Sequence, residues 1–411
     1  MSEPKCRHCK APLTRTLVDL GMSPLANSYV KPEDAGTACA AYPLHARVCD
    51  RCFLVQVEDA VPADAIFNDQ YAYFSSFSES WLKHCSEYVQ AMIPRLGLNT
   101  GSLVVEIASN DGYLLQYFVQ EGIPVLGIEP TANTAAEAEK KGVSTRVEFF
   151  TQAFARQLRE EGVAPDLVSS ANVLAHVPDI NDFVAGIAEI LTGDAVWTVE
   201  FPHLLNLIEK VQFDTIYHEH YTYLSLVALE RILAAHGLRV FDVEELPTHG
   251  GSLRVFSCLE GASHQPCPGR DAVREKETRA KLDRPEGYEG FGPRVEALRK
   301  SFLDYLSDAK VNGRTVAAYG AAAKGNTLLN YCGVGTADIS YCVDRNPAKQ
   351  GTLLPGTHIP VFAVDKLRSS PPDDLVILPW NIRDEVVSQL SDLREKNVRF
   401  VIAVPDTRVV G

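Results

Sequence analysis

Ser102-Leu-Val-Val-Glu106-Ile-Ala-Ser-Asn-Asp-Gly112 opens as a short apolar run and closes on small, turn-forming residues. The apolar half predicts a buried strand, and the polar turn leads into a segment of helical periodicity. Pro124-Val-Leu-Gly-Ile-Glu129 repeats the strand and ends on a carboxylate 23 residues after Glu106. Strand, turn, helix and strand in that order begin a parallel sheet wrapped by helices, whose ligands sit outside the carboxyl ends of the strands. A carboxylate at the end of the second strand is placed to accept two hydrogen bonds from ribose hydroxyls.

That spacing alone suits NAD and S-adenosylmethionine equally. The turn lacks the G-x-G-x-x-G that lets a pyrophosphate approach a helix, and presents an acidic, amide-rich Ser-Asn-Asp with only Gly112 remaining. S-adenosylmethionine carries a sulfonium and an ammonium and no phosphate, so it tolerates acidic neighbours. Pro165-Asp-Leu-Val-Ser-Ser-Ala-Asn172-Val-Leu-Ala-His176-Val177 then looks like the fourth strand and following loop of class I methyltransferases. The candidate cofactor contacts are Glu106, Ala108, Asn110, Asp111, Glu129, Pro130 and Asn172. The structural alternative is an α/β domain with no cofactor.

Outward from this core, the chain divides into three. Residues 1–65 are turn-rich, with prolines at 12, 24, 32 and 43, and hold two C-x-x-C pairs, Cys6/Cys9 and Cys49/Cys52. Two residues between thiolates let both sulfurs reach one tetrahedral ion, and four thiolates close a structural zinc site with no open position. His8 and His45 are expected to be bystanders. Residues 66–245 carry the sheet just described. Residues 246–411 contain a charged helix between loops, then a second strand–helix alternation at Val316–Tyr319, Ile339–Val343, Leu375–Leu378 and Phe400–Val404. The expected fold is α/β throughout: a zinc-binding domain, a Rossmann-like methyltransferase domain and a second Rossmann-like domain.

After the strand Ala195-Val-Trp-Thr-Val-Glu200 comes Asp214-Thr-Ile-Tyr217-His218-Glu219-His220-Tyr221-Thr-Tyr223-Leu-Ser225. Imidazoles, carboxylates and phenols are dense here for a solvated loop. A metal pair at His218 and His220 and histidines satisfied in the core are two alternatives. The preferred expectation is a general base flanked by phenols that bind an oxyanion.

Val316-Ala-Ala-Tyr-Gly-Ala-Ala-Ala-Lys324-Gly-Asn326 is a strand, a small-residue turn and a helix start, the pattern of an anion site. Lys324, Asn326 and Arg254, which follows the Gly250-Gly-Ser252 turn, are the candidate substrate contacts, clamping a diphosphate. The rival is NAD at the same turn with Asp344 on its ribose, which makes the chain a nicotinamide-dependent sugar oxidoreductase.

The formal net charge of −14, with no long basic run, disfavours nucleic-acid binding. No eighteen-residue uncharged apolar stretch appears, so no membrane span is expected, and Met-Ser-Glu-Pro-Lys-Cys lacks a secretory core; the expected location is cytoplasmic. Oligomeric state is not legible.

Taken together, the paired knuckles, Glu106-Ile-Ala-Ser-Asn-Asp-Gly112, Gly127-Ile-Glu-Pro-Thr-Ala-Asn133, Tyr217-His-Glu-His-x-x-Tyr223 and Tyr319-Gly-Ala-Ala-Ala-Lys-Gly-Asn326 resemble the deoxysugar C-3 methyltransferases over essentially the whole chain. That family methylates nucleotide-linked 4-keto sugars with S-adenosylmethionine. The resemblance implies His220 as the base at C3, Tyr217 and Glu219 lining the sugar site with His176 close by, and Tyr71 as a further sugar-facing phenol. It also implies that the C-terminal domain helps hold a nucleotide sugar, the small-molecule partner expected here.

Overall fold

The computed structural model describes residues 4–37, 39–59 and 75–410. Three sheets organise them. The N-terminal sheet runs β1 (Arg15–Pro24), β2 (Ala41–Val48), β3 (Val55–Gln56) and β9 (Thr222–Tyr223), all antiparallel. Leu44, Ala46 and Val48 alternate inward along β2. They share a core with Val295, Leu298 and Phe302 of the long helix Phe291–Val311.

The central sheet contains β4 (Val104–Ile107), β5 (Val125–Ile128), β6 (Thr145–Arg146), β7 (Leu167–Ala171), β8 (Val196–Pro202), β10 (Leu238–Leu246) and β11 (Ser252–Leu259). Their order is β10-β11-β8-β7-β4-β5-β6, and β11 alone runs against its neighbours. Every residue of β4 is buried, as its unbroken Val-Val-Glu-Ile predicts for a strand covered on both faces. The chain leaves β4 toward β5 and returns through β7 on the other side, so the crevice that receives a ligand opens between β4 and β7. The break expected at residue 245 falls inside this sheet. β10 and β11 form one hairpin, and β11 extends the central unit to Leu259. The break expected at residue 65 lies outside the described residues.

The C-terminal sheet has β12 (Val316–Tyr319), β13 (Cys342–Val343), β14 (Val361–Phe362), β15 (Asp374–Ile377), β16 (Arg399–Ile402) and β17 (Arg408–Val410), ordered β14-β13-β12-β15-β16-β17. It is parallel except for β17, and its switch point lies between β12 and β15. Among the described residues no helix is long and apolar enough to cross a membrane.

Candidate active site

The turn after β4 keeps the shape of a glycine-rich loop with little glycine. Ala108 (φ 56°), Asn110 (φ 48°) and Gly112 (φ 73°) are all left-handed. Asn tolerates that region because its short amide bonds locally, whereas Ala there costs about 1–2 kcal/mol. Gly112 is required for space as well, since a Cβ at this position would stand 3.1 Å from the Ala138 Cβ. Glu129, at the end of β5, is buried and spans the turn. One carboxylate oxygen accepts the Asn110 N–H at 2.9 Å and the other the Thr131 N–H at 3.0 Å.

Carboxyl groups are concentrated here. Burial pushes the Glu106 carboxyl well above its ordinary range, and the Asp111 and Glu129 charges push the same way against the Tyr113 hydroxyl. Lys141 lies 3.2 Å from one Asp111 oxygen, while the other is buried with no hydrogen-bond partner among the described residues. A ligand that carries a sulfonium and an ammonium and no phosphate fits this crevice. Asn172, also left-handed (φ 57°), ends β7 on its rim, with its amide nitrogen 3.2 Å from His249 Nε2.

The loop from Phe213 carries the imidazoles to the same end of the sheet. His220 Nδ1 lies 3.0 Å from the Thr215 carbonyl, which accepts only, so the proton sits on Nδ1. Nε2 therefore keeps its lone pair, and the Tyr217 hydroxyl donates to it at 2.7 Å. His176 donates from Nδ1 to the Glu219 carbonyl at 2.7 Å and stands edge-on to His220, ring centroids 4.6 Å apart. Burial, helped by the neighbouring His176 and Lys324, drives His220 well below its usual range. Burial lowers His176 to about 4. Both rings are neutral near pH 7. Glu219 accepts from the Asn27 amide at 3.2 Å, and burial raises its carboxyl to about 7. His218 turns the other way, its Nε2 3.2 Å from the Pro43 carbonyl in β2, so the two histidines do not share a site.

The four knuckle sulfurs all lie within 4.8 Å of one another, with Cys6–Cys52 at 3.5 Å and Cys9–Cys49 at 3.4 Å. That is the crowding of a tetrahedral tetrathiolate site. His8 bonds Asn181 and His45 bonds Thr16, both outside it.

Comparison with known proteins decides the family. Residues 6–67 match a zinc binding domain family, 81–243 a methyltransferase domain family and 247–405 the C-methyltransferase C-terminal domain family. The chain is similar to C-methyltransferase NovU of Streptomyces niveus, 34% identical over 407 residues, 99% of this chain and 97% of that one. The chain belongs to the C-methyltransferase family. Among solved structures, an S-adenosylmethionine-dependent methyltransferase from Clostridium acetobutylicum is 10% identical and covers 44% of this chain and 92% of its own, with a TM-score of 0.36. Magnesium protoporphyrin IX methyltransferase from Synechocystis, with bound S-adenosylmethionine, is 15% identical and covers 50% and 100%, with a TM-score of 0.36. This C-methyltransferase is S-adenosylmethionine-dependent and zinc-binding.

In this C-methyltransferase the expected diphosphate clamp is not assembled. The Arg254 guanidinium, on β11, is buried against the Tyr88 ring (4.6 Å) and paired with Glu200 at 3.2 Å and Glu244 at 3.0 Å. At the C-terminal turn the Ala321 N–H is bonded to Asp344 at 2.7 Å and the Ala322 N–H to the Gly320 carbonyl at 2.8 Å, so neither is free for an anion. The Ala321 carbonyl takes the Tyr29 hydroxyl at 2.5 Å and the Lys349 ammonium at 2.7 Å. Asn326 is buried and donates to the Ala26 carbonyl at 2.6 Å. The turn that would receive NAD is thus a socket for the Ala26–Val30 loop, and the nicotinamide alternative is set aside. Tyr71 lies outside the described residues.

Sequence reasoning passed over Asp214, His249 and Trp380. Trp380 Nε1 donates to Asp214 at 2.7 Å, and a Cβ on Gly250 would be 2.5 Å from the Trp380 ring. His249 is left-handed (φ 54°) and lowered to about 4 by burial. The one sequence signal is the Gly250-Gly251 pair after it, which reads as a turn and nothing more.

Proposed function

We propose that this C-methyltransferase methylates C3 of a dTDP-linked 4-keto deoxysugar, with His220 removing the C3 proton before methyl transfer. The supporting observation is the His220 tautomer. A buried, neutral imidazole presents its Nε2 lone pair to a phenol at the end of the sheet where the cofactor crevice opens. A hydrogen beside a ketone is acidified because its loss gives an enolate, and an imidazole with its lone pair on Nε2 is the group in this loop suited to take it. S-adenosylmethionine, held along Glu106, Ala108, Asn110, Asp111, Glu129, Pro130 and Asn172, supplies the electrophilic methyl group.

The chain's own residues do the rest. The Thr215 carbonyl locks the tautomer, and Tyr217, at Nε2, marks where the C3 hydrogen arrives. Glu219, near-neutral and turned toward Asn27, lines the sugar site with His176. Tyr71 is assigned to it on family resemblance alone. The C-terminal domain contributes to nucleotide-sugar binding, on the same resemblance.

His220→Asn should abolish deuterium exchange at C3 and cut turnover by roughly 10²–10⁴-fold. Proton NMR of the sugar in D2O and steady-state kinetics measure both. Normal exchange in that variant would remove His220 as the base and leave its neighbour His176 to be tested.

A further inference from the structure

We propose that Lys324 is a catalytic group of this enzyme: through it the C-terminal domain supplies the positive charge that holds the C4 oxyanion of the enolate. The inference rests on the proton-abstraction reading above, and gives a chemical part to a residue that reading leaves without one.

Trp380 fixes where the ammonium stands. Lys324 Nζ lies 4.8 Å from the Trp380 ring centroid and donates to the Asn381 side-chain oxygen at 2.7 Å. The same indole donates to Asp214 at 2.7 Å, and its ring abuts Gly250, next to His249. Asp214 precedes Thr215, whose carbonyl holds His220. One helical turn beyond Lys324, the Thr327 hydroxyl donates to the Ile216 carbonyl at 3.1 Å, docking the helix Ala323–Cys332 onto the base loop. Lys324 is therefore wedged between the loop that carries the base and the turn that meets Asn172 on the cofactor rim.

The surroundings leave this ammonium short of an anion. A lysine offers three donors, and among the described residues one is used, on a neutral amide. The neighbouring carboxyl, Asp214, which burial raises to about 6, accepts its hydrogen bond from Trp380 and not from the ammonium. The imidazoles that feel the Lys324 charge, His220 and His249, are both held neutral. Burial lowers the Lys324 ammonium from its ordinary range and the Asp214 charge opposes that shift, and a positive charge in a desolvated pocket is worth most where negative charge develops.

The chemistry needs such a group. As the C3–H bond breaks, the proton goes to His220 Nε2, the bonding pair forms C3=C4, and the carbonyl π pair moves onto oxygen. Methyl transfer then forms the C3–CH3 bond, breaks the S–CH3 bond and restores the carbonyl. Lys324 donates a hydrogen bond throughout and stays protonated. Because His220 is a weak base, the uphill proton transfer must be compensated on the enolate side.

The test uses the full-length, zinc-loaded enzyme with a dTDP-linked 4-keto deoxysugar. Lys324→Met is expected to lower both kcat and C3 deuterium exchange by about 10²–10³-fold while KM stays within about threefold. Lys324→Arg should recover part of the loss, and added methylammonium should restore turnover to Lys324→Ala. Calorimetry with S-adenosylhomocysteine checks that each variant is folded. A raised KM with kcat and exchange intact would overturn the proposal and make Lys324 a ground-state contact, such as one to the diphosphate. If Lys324→Met does not fold, the methylammonium titration of Lys324→Ala decides, and absence of rescue sinks the idea. A wild type that shows no C3 exchange overturns the proton-abstraction reading itself, whereas exchange in wild type and Lys324→Met alike overturns only the role of Lys324.

Discussion

The central and C-terminal sheets build the same device and use it differently. In each, a carboxylate ending the second strand reaches back to an N–H of the turn after the first strand and also accepts the N–H two residues ahead. Glu129 does so with Asn110 (2.9 Å) and Thr131 (3.0 Å), and Asp344 with Ala321 (2.7 Å) and Asn346 (2.8 Å). The central turn is left-handed at three alternate positions and lined by three carboxyls, Glu106, Asp111 and Glu129, facing one lysine, Lys141. The C-terminal turn has its carbonyl capped by Tyr29 and Lys349, with Asn326 tied to Ala26. A nucleotide-type turn is therefore no evidence of a nucleotide. What occupies its polar groups decides, and in the second sheet the occupant is the chain's own zinc-binding domain.

Removing the zinc should break this contrast most severely. Cys49→Ser is expected to lose the metal and, with it, stabilisation on the order of several kcal/mol, because metal binding in small tetrathiolate units is folding energy. With the Ala26–Val30 loop released, hydrogen exchange should rise at residues 320–326, while the central crevice keeps its affinity for S-adenosylhomocysteine. Elemental analysis and exchange mass spectrometry read the two halves, and unchanged protection at 320–326 would show that the socket does not depend on its plug.

The paired carboxylates sharpen it next. Glu129→Ala should cost about 1.5–3 kcal/mol of S-adenosylhomocysteine affinity, since charged hydrogen bonds to a ribose disappear. Asp344→Ala should leave that affinity unchanged and lower the melting temperature instead. Calorimetry and thermal melts on both variants suffice, and equal losses of affinity would erase the distinction. The smallest effect is local: Ala108→Gly relieves a left-handed alanine and should stabilise by about 1 kcal/mol. Ala321→Gly, where φ is not positive, should destabilise by roughly 0.5–1 kcal/mol through added freedom of the unfolded chain. Denaturant titrations compare the two.

Much of this was legible in the sequence where the signal is local. Short, largely apolar runs marked β4, β5, β7, β12, β15 and β16, and matched C-x-x-C pairs marked a site whose sulfurs do converge. The turn after β4 was harder, because glycine spelling was missing while the backbone shape was kept by Ala108 and Asn110. Long-range pairing was hidden. Nothing near Arg254 announces that Glu200, from the neighbouring strand, will consume its charge, nor does Lys324 announce that Trp380 will carry it to the base loop. The pattern could not choose between His218 and His220. The fold separates them by sending one to Pro43 and the other to Thr215.

β9 has a consequence for how far the metal's influence reaches. Thr222, two residues beyond His220, is paired with Gln56, 166 positions earlier (222 minus 56), and the Gln56 side-chain amide donates to the Cys6 sulfur at 3.3 Å. The loop that carries His220 is thus one strand pair and one side-chain hydrogen bond away from a cysteine of the tetrathiolate cluster. Loss of the metal would loosen one fastening of that loop and leave the others, Thr327 on the Ile216 carbonyl and Trp380 on Asp214, in place, so the zinc bears on the loop from a distance.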